Sequence, residues 1–84
     1  MTIKQKVEEI IGEDESVLLA DGFEDAFVGI GRQFGKPISV YSREKCIQIL
    51  EEQGMTSEEA EEYFCFNAEG AWVGEQTPIF LEKI

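Results

Sequence analysis

Histidine is absent from this chain of 84 residues, and Lys and Arg together number seven against eighteen Asp and Glu. The missing imidazole removes the commonest general base and metal ligand near neutral pH. It also removes the usual partner of a nucleophilic cysteine. Two cysteines, Cys46 and Cys65, show no recognisable zinc-ligand spacing. No run approaches the roughly 18 apolar residues needed to span a bilayer. The N-terminal MTIKQKVEEI is amphipathic and charged, without the apolar centre of a leader peptide. Few cations leave a net charge of −11, which argues against direct nucleic-acid or anionic-membrane binding, because phosphate contacts need Lys and Arg to displace counterions. Together these absences imply a cytoplasmic protein with no metal or cofactor and with both thiols reduced and packed. A Cys46–Cys65 disulfide is the alternative.

What is present suits one small folded domain, 1–84. Apolar content of 43% and aromatic content of 11% are those of a packed protein. A domain this short buries about two thirds of its unfolded surface. Thr2 can cap an N-terminal helix with Ile3, Val7, Ile10 and Ile11 at helical spacing, ended by Gly12 and packed at one end or loosely attached. Residues 17–20 read as a short buried strand. AFVGIGRQFGKPISVY reads as a hairpin broken at Gly35-Lys36-Pro37, with a helix over 23–33 as the competing reading. Ser42 caps a helix over 43–53, closed by Gly54. Thr56 and Glu59 form a capping box for a second helix over 57–66, with Met55 placed to staple onto Ala60. Ala60, Tyr63, Phe64 and Asn67 share its inner face. Pro78 opens an edge strand, 78–82. The expected fold is α+β: a small, mostly antiparallel sheet from 17–20, 26–33, 38–41 and 78–82, packed against a two-helix hairpin, plus the N-terminal helix.

The carboxylates are numerous, so each cluster is weighed against plain solvation. Asp21, Glu24 and Asp25 are close enough to hold a hard cation, yet read first as a solvated turn. Glu58, Glu59, Glu61 and Glu62 read as the outer face of a helix, and in functional terms as a negative patch for a basic partner. GIGRQFG fits neither glycine-rich phosphate loop; its glycines instead leave room for a bulky group such as Trp72. Trp72 itself stands between Gly70 and Gly74, with Glu69 and Glu75 just outside. It is either a core plug or a partner anchor rimmed by those two glutamates. A ligand site built from Arg32, Tyr41, Trp72 and Glu75 is a further reading, Arg32 being able to grip an anion bidentately.

From GFEDAFVGIG to GAWVGEQTPIF, and most distinctively in KCIQIL, EEAEEYFCFN and GAWVGEQTPIF, the chain resembles a family of small acidic proteins of bacteriophages and prophages. The resemblance covers roughly residues 16–81. It brings no catalytic or binding residue with it. What it implies is a setting, the cytoplasm of a bacterial host, and a mode of action, binding to host proteins. The expected function is a small acidic protein-binding module acting on a host protein with a basic surface, with Trp72, Glu69, Glu75, Glu58, Glu59 and Glu62 as its contact residues. A small ligand-binding domain or enzyme around Arg32 and Tyr41, and a homo-oligomeric accessory protein paired through 78–82, are the alternatives. The chain is expected to be a monomer or a weak homodimer.

Overall fold

Ser42 and Thr56 decide where the two central helices begin. The Ser42 hydroxyl accepts the Lys45 N–H at 3.3 Å. Thr56 and Glu59 exchange the two bonds of a capping box, 3.2 Å from the Glu59 N–H and 3.0 Å from the Thr56 N–H. In the computed structural model, which describes residues 3–12, 15–20, 22–69 and 73–84, these caps open helices Arg43–Glu52 and Ser57–Phe64. With the N-terminal helix Ile3–Ile11 they are α1 (Ile3–Ile11), α2 (Arg43–Glu52) and α3 (Ser57–Phe64). Thr2, the expected cap of α1, lies outside the described residues, as do Asp21, Gly70 and Trp72.

Between α2 and α3 the chain closes one helix and starts the next within four residues. Gly54 takes φ +105°, and its N–H reaches Glu51 O at 3.0 Å while Met55 N–H reaches Leu50 O at 3.4 Å. This is the paired bonding of a Schellman turn, where only glycine accepts the left-handed φ without cost. Met55 then packs on the cluster that holds Leu50 and Ala60.

Three strands follow the order β1 (Phe27–Gln33), β2 (Lys36–Ser42), β3 (Ile79–Leu81). β1 and β2 are antiparallel, with a bulge between Phe27 and Gly29. β2 and β3 are parallel over Val40–Ile79 to Ser42–Leu81, since α2 and α3 lie between them in the chain and return it to run the same way. The hairpin turns at Phe34-Gly35, with φ +56° and +75°, rather than at Gly35-Lys36-Pro37; Lys36 and Pro37 belong to β2. Pro37 is tolerated there because β3 reaches β2 only from Val40 onward. The competing helix over 23–33 shrinks to one 3-10 turn, Glu24–Ala26, before β1 starts.

Residues 17–20 form no strand. This segment is held by side chains of β2 instead of a ladder. Ser39 Oγ donates to Leu18 O at 2.6 Å, and the Ala20 N–H donates to Tyr41 Oη at 2.8 Å. Ser39 and Tyr41 share one face of β2 by strand alternation.

The principal core joins Ala26, Tyr41, Cys46, Leu50, Ala60 and Phe64. Phenylalanines complete it. Phe64 meets Phe80 edge-on at 4.8 Å and Phe23 at 5.9 Å, and Tyr41 meets Phe27 at 5.6 Å. Such pairs add about 0.5–1.5 kcal/mol each beyond their buried area. Val7 and Ile11 bury the inner stripe of α1 while Ile10 stays exposed.

Candidate functional site

α3 has two contrasting sides, and the sequence spacing produces both. Ala60 and Phe64, four apart, are fully buried. Glu59, Glu62, Tyr63 and Phe66 follow the i, i+3, i+4, i+7 rule on a neighbouring stripe. Beyond Phe64 the helix widens into a π-helical turn, Cys65–Glu69, a feature often found at functional positions. Phe66, on this turn, is 83% exposed, and Tyr63, on α3, is 48% exposed. With Met55, these residues line a shallow cleft of about 310 Å³. Tyr63 thus departs from the inner face expected for it, because the core accepts only Ala60 and Phe64 from this helix.

The glutamates of α3 have separate duties. Glu61 binds Arg43 at 3.2 Å, and Arg43 also approaches Glu82 at 3.6 Å. The Arg43 guanidinium lies 5.6 Å over the Phe64 ring. Glu59 is occupied by the cap, where the Thr56 N–H and then the Thr56 hydroxyl hold its carboxyl below the usual value. Among the described residues, Glu58 and Glu62 are exposed and meet no Lys or Arg.

The other expected site residues are dispersed. Arg32 grips Glu15 with both terminal nitrogens, at 3.1 and 3.2 Å. That bond is the first cause raising its already high pKa. Tyr41 is 1% exposed and belongs to the core. The ladder sets Arg32 beside Pro37, four residues along β2 from Tyr41, or about 13 Å at the usual rise. Neither residue lines the α3 cleft. Glu75 is exposed and lies 3.7 Å from Lys36. Trp72 and the Glu69 side chain lie outside the described residues.

Residues 73–77 are pinned by polar bonds. Gln76 Nε2 donates to both Ser16 O and Pro37 O, at 2.7 and 3.1 Å. Thr77 Oγ1 donates to Gly74 O and accepts from Val73 N–H. A more apolar cleft of about 380 Å³ lies nearby, lined by Leu18, Phe23, Ala68, Val73, Pro78 and Phe80 among others. Among the described residues that line it there is no charged group for chemistry.

Two further expectations change. Cys65 is exposed rather than packed, because it sits about 100° round the helix from Phe64. Cys46 is buried, and both thiols are free. The glycine face of β1 receives no bulky group among the described residues. A Cβ at Gly29 would meet nothing within 4 Å, and one at Gly31 only Val40 Cγ2 at 3.4 Å. The acidic 21–25 turn is in part self-capped, Glu24 accepting the Gly22 N–H at 3.2 Å.

Among the described residues no helix is long and apolar enough to cross a membrane, and no three potential ligands gather as a metal site. No protein-family model matches the chain, and neither a curated protein nor a solved structure matches it.

Proposed function

We propose that the chain is a small acidic protein-binding module of a phage or prophage, acting in the host cytoplasm on a host protein with a basic surface. The observation that carries this reading is the outer side of α3. There Glu58 and Glu62, which meet no Lys or Arg among the described residues, accompany exposed Tyr63 and Phe66. Exposed aromatics beside carboxylates combine an apolar anchor with a charge that selects a cationic partner. The net charge of −11 extends the same preference over the whole surface and steers basic proteins toward it. It also opposes tight pairing of two copies, so the module acts as a monomer or at most a weak homodimer.

The test is capture from bacterial lysate at about 0.1 M and about 0.5 M salt, which spans weak to strong screening. The wild type is compared with Glu58→Gln/Glu62→Gln, whose helicity is first verified by circular dichroism. Basic proteins retained at low salt, and lost both at high salt and by the variant, are expected. An identical set of captured proteins in all four conditions would overturn the reading.

A further inference from the structure

We propose that the cleft between Tyr63 and Phe66 receives the guanidinium of an arginine presented by a basic segment of the partner. The inference rests on the protein-binding reading above and names its central contact.

The cleft's lining defines what fits. Phe66 and Tyr63 are exposed aromatics, Met55 is a half-buried thioether, and Glu59 and Glu62 add two carboxylates to the lining, that of Glu59 already bonded to the Thr56 N–H. A volume of about 310 Å³ is at the lower limit for a small-molecule pocket. Two carboxylates at its edge further disfavour a neutral apolar ligand. A second copy of this chain would bring another net charge of −11 to an already negative rim. A cation with a flat, weakly hydrated face suits both the rings and the carboxylates. Arginine has that shape: its guanidinium stacks on an aromatic ring and forks two donors to one carboxylate.

α3 already holds one arginine by this chemistry. Arg43 lies 5.6 Å over the Phe64 ring while its Nη1 is 3.2 Å from Glu61. Phe66 and Glu62 repeat the pairing of ring and carboxylate on the outer stripe, where no cation of the described chain reaches Glu62. Lysine would satisfy the carboxylates but stack less well, so arginine is the preferred occupant.

The experiment measures binding of a rhodamine-labelled peptide of alternating arginine and alanine by fluorescence anisotropy at low salt. Peptides carrying citrulline or lysine in place of arginine are run beside it. Phe66→Ala, Tyr63→Ala and Glu62→Gln are the test variants. Phe34→Ala, which removes a 76% exposed aromatic at the far hairpin, is the control. The expected results are about three- to fivefold weaker binding for Phe66→Ala, tenfold or more for citrulline, weaker binding for lysine, and no change for Phe34→Ala. If Phe66→Ala and Tyr63→Ala bind as the wild type while Glu62→Gln and salt weaken binding, the cleft proposal falls and the acidic-surface reading stands. Equal losses from Phe34→Ala and Phe66→Ala also overturn the cleft. Absence of any binding by the arginine peptide overturns both.

Discussion

The Tyr41 hydroxyl accepts a 2.8 Å hydrogen bond from the Ala20 amide, 21 residues earlier in the chain. That bond, with Ser39 Oγ to Leu18 O, fastens a segment that has no strand partner. Tyr41→Phe keeps the ring packing and removes the hydroxyl, which also bonds the Ser39 side chain. It is expected to cost about 1–3 kcal/mol by leaving the Ala20 amide unsatisfied. A urea titration checks this, and an unchanged midpoint would show that water replaces the phenol.

The two cysteines should differ sharply in reactivity. Burial pushes the Cys46 thiol from its ordinary 9.0 up to about 11, whereas Cys65 is exposed. A maleimide at about pH 8, below the ordinary thiol pKa, is expected to modify one thiol promptly and the second only as the protein opens. Cys65→Ser should abolish the prompt phase.

The same burial has a consequence for stability. Below pH 9.0 the folded and unfolded chains both keep the Cys46 proton, so its contribution is complete. Above that the unfolded chain ionises first, and stability is lost as the pH rises toward about 11. Burial also raises the Tyr41 pKa above its ordinary 10.0, which adds to the loss at the alkaline end. Denaturation midpoints should therefore fall with rising pH in this window, less steeply in Cys46→Ala. A flat profile would contradict the buried thiol.

Phe34 occupies φ +56° at the tip of the β1–β2 hairpin, beside Gly35. An Asn-Gly pair is the preferred occupant of a two-residue turn with both φ values positive. Phe34→Asn is expected to raise stability by about 1 kcal/mol, by relieving a conformation unfavourable to a bulky side chain. Thermal unfolding at several concentrations measures this and excludes an oligomer effect. A lower midpoint would mean that the Phe34 ring has a folded-state role.

The helices were legible because their signals are local. Ser42, Gly54, Thr56 and Glu59 each act within a few residues of their own position, and all four take the expected part. The parallel pairing of β3 with β2 depends on where two helices return the chain, and the apolar run at 78–82 does not encode that direction. Residues 17–20 have strand composition but are tethered through the Ser39 and Tyr41 side chains rather than through a backbone ladder. Phe66 was the missed residue of the candidate site. Its spacing from Glu59, Glu62 and Tyr63 was visible in EEAEEYFCF, yet an aromatic run beside Phe64 reads most simply as core. The separation of Arg32 from Tyr41 was not legible, because it depends on the hairpin register, which sets the two at different levels.

The most direct measurement is an amide and aromatic NMR titration of the isotopically labelled protein with the alternating arginine–alanine peptide. Docking through α3 is expected to shift the amides of residues 58–66 and the ring protons of Tyr63 and Phe66, with the hairpin tip near Phe34 unmoved. Shifts centred on residues 31–37 or on β3, with Phe66 unaffected, would contradict α3 as the binding surface.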